Sequence, residues 1–214
     1  MSVESFVMGL VRGARNTWDG LSVSPNGAIY TIKDLPDNAE LVNQGLVWSV
    51  GEASATASVI APPTTTAGVL LYNDNPDGGP SLIVLAAFAL QTASAAAVGM
   101  YGLSQVVIMI KPATKPTADI AVASYKGLKS LQGPYGGKAI FDLGPTVVDD
   151  LWKPVGNNEQ VTLASAVGSQ LYVPLVVPVV LPPGGSYGLE CVSSNTSIQS
   201  RLGVVFAEVQ LRQA

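Results

Sequence analysis

The chain has 214 residues, of which 48% are hydrophobic and 12% are charged, and its formal net charge is −4. This length suits one sizeable all-β domain or two small domains, and one domain is the simpler interpretation. The charged fraction is about half of the roughly 25% that is typical of soluble domains. We therefore expect partner proteins to cover part of the surface.

The counts of basic residues, histidine and cysteine argue against several classes of function. No segment of this acidic chain gathers several Lys or Arg residues, so we expect no direct binding of DNA or RNA. The sequence has no histidine, which removes the commonest general base and the usual zinc or copper ligand. Cys191 is the only cysteine, so neither an intrachain disulfide nor a cysteine-based zinc site can form. We expect no catalytic residue, no metal and no cofactor.

The first twenty residues are the one segment with helical spacing. Phe6, Leu10 and Val11 fall on one helical face, which predicts a short N-terminal arm over residues 1–20 that uses these three side chains to hold a partner. A frayed terminus without a role is the alternative. Glu4 stands where a signal peptide carries positive charge, so synthesis in the host cytoplasm is expected.

After residue 20, short apolar segments alternate with Gly, Pro, Asn and Asp turns. This spacing predicts one all-β domain over residues 21–214, a jelly-roll-like antiparallel β-sandwich, and it disfavours folds in which helices alternate with strands. The predicted strands cover residues 28–32, 46–60, 68–72, 81–91, 98–110, 118–125, 138–143, 160–165, 171–180, 186–193 and 202–211.

The longest apolar stretch, residues 81–110, reaches the length of a membrane span. Polar residues such as Gln91 and Gln105 interrupt it, and Gly99 and Gly102 weaken it as a helix. We therefore predict two consecutive buried strands there and no membrane partner.

Four prolines crowd the predicted strand region 171–183, at positions 174, 178, 182 and 183. Proline lacks the N–H that a central strand must donate, so this region should lie at a sheet edge or form a bent crossing. Edges of this kind meet neighbouring proteins. Pro174 and Pro178 are accordingly predicted to bind a partner.

Two segments match the form of functional motifs without the chemistry. Gly184 to Gly188 fits the pattern of a nucleophile elbow, but such an elbow needs a histidine base, so we interpret it as a turn that enters a strand. Asn73 to Gly78 resembles the start of a calcium loop, but Val84 stands where the bidentate Glu belongs. A hairpin loop between two strands is the better interpretation, with a weak surface calcium ion as the alternative.

Several stretches resemble uncharacterised structural proteins of tailed bacteriophages. The residues that carry this resemblance are 61–66, 70–73, 135–138, 147–156 and 182–186. The resemblance implies a head-decoration (cement) or other accessory virion protein with a jelly-roll-like core. Because its motifs are turns and strand edges, it assigns no binding residue.

Composition and resemblance together predict a non-enzymatic virion structural protein. We expect a capsid decoration or cement subunit that stabilises the phage head through subunit contacts. Its expected partners are other virion proteins, chiefly the major capsid protein, and copies of itself in a homo-oligomer, with a trimer expected by analogy with viral jelly rolls. The alternative is a receptor- or glycan-binding domain of a phage tail or fibre, in which loop tips would be functional. A cupin-like or lyase-type enzyme is a third and weaker interpretation, because the usual cupin metal site needs histidine.

Overall fold

The computed structural model describes residues 11–12, 18–19, 38–62, 65–94, 99–108, 116, 119–147, 151–161 and 169–211. Its contacts divide the chain into one unit of residues 1–39 and a second unit of residues 40–214.

In the first unit, strand β1 (Val11–Arg12) pairs antiparallel with strand β2 (Trp18–Asp19). The helical face predicted for this segment is therefore wrong at Val11. A helix of so few residues is marginal without tertiary packing. Phe6 and Leu10 lie outside the described residues, and Val11 is described through its backbone pairing alone.

A five-residue helix, α1 (Ala39–Asn43), precedes the strands of the second unit. The strands are β3 (Val47–Gly51), β4 (Thr56–Ala57), β5 (Val69–Asn73), β6 (Ser81–Ser94), β7 (Gly99–Ile108), β8 (Lys126–Gly127), β9 (Ala139–Leu143), β10 (Lys153–Val161), β11 (Gln170–Leu181), β12 (Ser186–Ser193) and β13 (Ile198–Val209).

Most of the predicted strands within the described residues are confirmed, one is wrong, and the segment predicted as one strand over 46–60 forms two short strands, β3 and β4. The strand predicted over 28–32 lies outside the described residues, as do residues 162–165 of the strand predicted over 160–165. Strands β6 and β7 are the two consecutive strands expected in the long apolar stretch, and no helix within the described ranges is long and apolar enough to cross a membrane. The strand predicted over 118–125 is wrong, because Val122–Ser124 form a 3-10 turn. Three alanines in this segment leave Ile120 and Val122 as its two β-branched side chains, which is little of the surface that stabilises a strand.

The strands form two antiparallel sheets that pack as a sandwich. One sheet has the order β11-β6-β13-β3-β8, with β4 also paired to β13, and the other has the order β10-β7-β12-β5-β9. Most connections cross between the sheets, since β3, β6, β11 and β13 lie in the first and β5, β7, β10 and β12 in the second; β7 and β10 are neighbours in the same sheet. The fold class is thus confirmed as an all-β sandwich, and its strand order agrees with a jelly roll.

The main core fills the space between the two sheets. Its largest buried side chains include Tyr101, Phe141, Tyr187 and Phe206, each with almost no exposed surface. Burial of apolar area stabilises the fold by about 25 cal/mol per Å². Since Cys191 is a free, buried cysteine in this core, packing rather than a disulfide holds the sheets together.

The loop expected as a hairpin instead joins different sheets, and so does a second turn. The Asn73 to Gly78 segment follows β5 in one sheet and leads into β6 in the other. The turn at Asn195 likewise leads from β12 to β13 across the sandwich. The hairpin interpretation of the Asn73 to Gly78 loop is wrong, because turn residues at a strand end do not reveal which sheet the next strand joins.

Candidate functional site

Strand β11 forms one edge of the six-stranded sheet and pairs only with β6 along this path. The prediction that the proline-rich region lies at a sheet edge is confirmed. Both Pro174 and Pro178 are exposed. An edge strand tolerates proline because its outer N–H groups have no partner strand within the sheet.

A β-bulge interrupts this edge between the two prolines. Pro174 pairs with Ala86 and Val179 pairs with Val84, so residues 175–178 lie against Leu85 alone. The extra residues push the chain outward. Val176 is 96% exposed and Val177 is 80% exposed as a result. We name residues 172–180 the β11 edge.

The β11 edge is both apolar and uncharged. None of the twelve residues of the strand is charged, and Tyr172 and Val180 are also exposed. Natural edge strands are commonly protected by charged side chains, by proline or by bulges. Here proline and the bulge block the pairing of a further strand, but the apolar side chains stay open to contact.

Apolar side chains continue from this edge onto the outer face of the same sheet. Tyr172 pairs with Phe88 and Val180 pairs with Ile83, and paired residues share a face. Phe88 and Ile83 pack against a buried outer cluster, to which helix α1 adds Leu41 and Val42. The buried members of this cluster are Val47, Leu85, Ala86, Val205 and Ala207.

Of the five predicted partner-binding residues, the structure thus brings Pro174 and Pro178 together on one exposed edge. The residues with the most exposed side chains of that edge, Val176 and Val177, were not singled out from sequence. The sequence feature that could have indicated them is the Val-Val pair between two prolines, which a bulge displaces outward.

A second feature is a pair of buried glutamates, Glu52 and Glu190, which are 7% and 6% exposed. Glu52 follows β3, where β3 ceases to pair with β13. Its Oε2 accepts a hydrogen bond of 2.6 Å from the backbone N–H of Leu202, and its Oε1 accepts one of 2.7 Å from Thr56 Oγ1. The carboxylate supplies an acceptor that the sheet lacks at this point.

Glu190 lies in β12, one residue past the last pairing of this strand with β5, which joins Leu189 to Val69. Its Oε1 accepts a hydrogen bond of 2.9 Å from the N–H of Cys191. A Cβ atom at Gly68 would lie 3.0 Å from this oxygen. Glycine at position 68 therefore gives the carboxylate its space.

Burial governs the protonation of both glutamates. Burial raises the pKa of Glu190 to about 7, and the negative charge of Glu52 raises it further, while hydrogen bonds from Cys191 and Gly68 lower it. Burial likewise raises the pKa of Glu52, although Leu202, Thr56 and the charge of Arg201 lower it.

The sequence alone did not indicate this pair. Its only signal is a charged residue inside the otherwise uncharged strand β12.

A shallow groove of ≈ 340 Å³ lies where residue 60 approaches strands β7 and β12, and Ile60 and Met100 expose half or more of their surface there. The aromatic residue that lines the groove, Tyr101, is almost completely buried. Its ring is thus not free to stack on a sugar. The remaining lining residues are Gly102, Leu103, Ser104, Pro154, Val192, Ser193 and Ser194.

The two motif-like segments have structural roles. Ser186 begins strand β12 and is 1% exposed, so this serine sits in a strand, not on the strand-to-helix turn of a nucleophile elbow. In the Asn73 to Gly78 loop, the side-chain amide of Asn73 donates to the carbonyl groups of Pro80 and Leu181. Within the described residues, no group of three or more His, Cys, Asp or Glu side chains is placed to hold a metal ion.

No protein-family model, curated protein or solved structure matches this chain.

Proposed function

We propose that the protein is a non-enzymatic virion structural subunit, of the capsid decoration or cement class, that binds other protein subunits through the β11 edge. The observation that carries this proposal is the exposure of Val176 and Val177 in an edge strand without a charged residue. Exposed apolar surface of this kind marks sites of protein association. Its proposed location is the virion, and the resemblance to phage structural proteins supports that location.

The chemistry of the β11 edge suits protein contact better than catalysis or ligand capture. Apart from the phenol of Tyr172, it presents branched aliphatic side chains and two prolines, which have no acid, base or nucleophile to offer a substrate. Prolines and the bulge remove the regular donors that strand addition requires. We therefore propose side-chain packing against a partner's apolar surface, with the major capsid protein and further copies of this chain as occupants.

The receptor- or glycan-binding alternative finds less support. Recognition of sugar rings by proteins relies on accessible aromatic faces, and the groove near Ile60 buries its one aromatic residue. We retain the alternative as an outcome of the experiment below.

The proposal is tested by placing charges on the bulge of the full chain. The purified protein is expected to be a homo-oligomer, a trimer by analogy with viral jelly rolls, when light scattering is measured at micromolar concentration. The double variant Val176→Asp/Val177→Asp should dissociate into monomers, because burying two carboxylates in an apolar contact is unfavourable. The matched control is Leu131→Asp, which adds charge at a side chain 91% exposed in a different loop.

Two results would contradict the proposal. One is a wild-type protein that is monomeric and does not sediment with phage heads. The other is a double variant that assembles and binds heads as well as the wild type. Binding to tails or to a glycan array without binding to heads would favour the receptor-binding alternative.

A further inference from the structure

Residues 52–60 form a crossing segment that passes from one sheet to the other at one end of the sandwich. The N–H of Glu52 donates to the carbonyl of Leu202 in β13, and the N–H of Ser58 donates to Ile198 in the same strand. The N–H of Val59 then donates to Cys191 in β12. The crossing segment thus ties β13 of one sheet to β12 of the other.

Both buried glutamates sit where this segment interrupts regular pairing. Glu52 begins the segment and binds the N–H of Leu202. Glu190 precedes Cys191, the residue whose carbonyl receives the N–H of Val59. A Cβ atom at Gly68 would lie 2.9 Å from the Leu202 side chain and 3.0 Å from Glu190. The two carboxyl groups therefore border the same small region, around Leu202 and Gly68.

The surroundings offer little positive charge to these carboxyl groups. Strand β13 contributes Arg201, whose side chain is exposed, and β12 contributes the buried thiol of Cys191. The other groups that face the pair are neutral: the hydroxyl of Thr56 and the backbone N–H of Leu202, Cys191 and Gly68. No Lys or Arg belongs to the buried residues of the described ranges.

Two carboxylates that lack a buried cation cannot both ionise without cost, because desolvation and mutual repulsion each disfavour the second charge. A proton retained by the pair removes that repulsion. Ionisation of both groups instead places two negative charges beneath the crossing segment.

We propose that Glu52 and Glu190 form a proton-dependent clasp, which holds the crossing segment closed while the pair retains a proton and loosens it when both carboxyl groups are ionised. The clasp is independent of the proposed function and of the β11 edge. Because Ile60 ends the segment and lines the groove, opening of the clasp also alters that surface. The raised pKa of Glu190, about 7 through burial, places the transition near neutral pH.

The test is native-state hydrogen exchange of the full chain between about pH 5.5 and pH 8.5, corrected for the intrinsic rate of exchange. Protection of the Ser58 and Val59 amides should fall about tenfold or more as pH rises, since each unit of pKa difference changes the opening equilibrium about tenfold. The internal control is the β5–β9 pair, whose amides at Leu71 and Phe141 report global unfolding and should therefore stay better protected than Ser58 and Val59 at every pH.

Variants separate the clasp from a general effect of pH. In Glu190→Gln, the protection of Ser58 and Val59 should no longer depend on pH, because the amide mimics the protonated acid and does not titrate. Glu40→Gln, at an exposed glutamate of α1, should behave as the wild type. If Glu190→Gln does not fold, Glu52→Gln provides the same comparison.

The clasp is overturned if wild-type protection at Ser58 and Val59 is the same across this pH range. It is also overturned if Ser58 and Val59 share the opening free energy of the β5 and β9 amides at every pH, because global unfolding and not local opening would then expose them.

Discussion

The side-chain amide of Asn75 donates a hydrogen bond of 2.8 Å to Oε1 of Glu208, which ties the loop after β5 to strand β13. The other oxygen of Glu208 accepts a hydrogen bond of 2.6 Å from the hydroxyl of Tyr135. Asn73 completes this network, since its Oδ1 accepts from the side chain of Asn75. The loop that resembles a calcium site in sequence is thus held by hydrogen bonds within the protein.

Asn73→Asp tests the role of this network in stability. The amide of Asn73 donates to the carbonyls of Pro80 and Leu181, and a carboxylate has no donor to offer them. We expect the free energy of unfolding to fall by about 2–4 kcal/mol in urea denaturation near neutral pH, because the buried carbonyl of Leu181 loses this donor and a carboxylate is buried in place of the amide. Asn43→Asp, at an exposed position of α1, should change it by about 0.5 kcal/mol or less. Equal effects at the two positions would show that the network is dispensable.

Removal of divalent cations should leave the melting temperature and the assembly unchanged. The Oδ1 of Asn73, the atom that would coordinate a cation, already accepts hydrogen bonds from the backbone N–H and the side-chain amide of Asn75. Differential scanning calorimetry in excess EDTA provides the measurement. A fall of several degrees that calcium reverses would show that the loop binds the ion.

Gly203 occupies a position where strand β13 passes against a phenyl ring. A Cβ atom there would lie 2.2 Å from Cζ of Phe88 and 2.6 Å from the backbone oxygen of Val50, and the backbone cannot easily move within a sheet. Gly203→Ala should therefore destabilise the protein by about 1–3 kcal/mol in chemical denaturation. Gly136→Ala is the matched control, because nothing lies within 4 Å of a Cβ atom at that position. If Gly203→Ala leaves the free energy of unfolding unchanged, Phe88 must move aside freely.

The thiol of Cys191 should be unreactive in the folded protein. Cys191 is 1% exposed in the main core, and burial raises the pKa of its thiol to about 11. Because the thiolate is the reactive form, a disulfide reagent near pH 8 should modify native protein far more slowly than protein in denaturant. Cys191→Ser should still fold and assemble, since the thiol acts as a small buried group. A Cys191-linked dimer on non-reducing gels of intact particles would contradict this account.

Stability should fall as pH rises from about 4.5 to 7. In the unfolded chain Glu190 titrates near its ordinary pKa of 4.5, whereas in the folded protein burial raises its pKa to about 7. Between these values the folded state binds more protons than the unfolded state, so the free energy of unfolding decreases with pH. Each unit of difference corresponds to about 1.4 kcal/mol. Urea denaturation of the wild type across this range should show that the free energy of unfolding falls as pH rises.

The Glu190→Gln variant isolates this contribution, because it removes one titrating group at nearly constant volume. Its stability curve should be flatter over the same range of pH. If the free energy of unfolding changes with pH in parallel for the wild type and the variant, other titrating groups cause the pH dependence.

The sequence alone determined the fold class and the edge position of β11. Short apolar segments between Gly and Pro turns require strands, and each strand period can be read locally. The prolines of residues 171–183 predict an edge position, because a residue without an N–H cannot donate the hydrogen bond that a central strand needs. The lone charged residue in β12 was equally visible, but nothing local indicated that it would be buried.

Tertiary structure alone decided which side chains meet. The loop at Asn73 and the turn at Asn195 join strands of different sheets, a choice that depends on long-range packing and not on turn chemistry. The bulge that exposes Val176 and Val177 arises from the register of β11 against β6, which pairs residues about ninety positions apart. The approach of Glu52 to Glu190 needs the end of β3 to lie near the point where β12 stops pairing with β5. Burial of their carboxyl groups, and hence their protonation, follows from that three-dimensional arrangement.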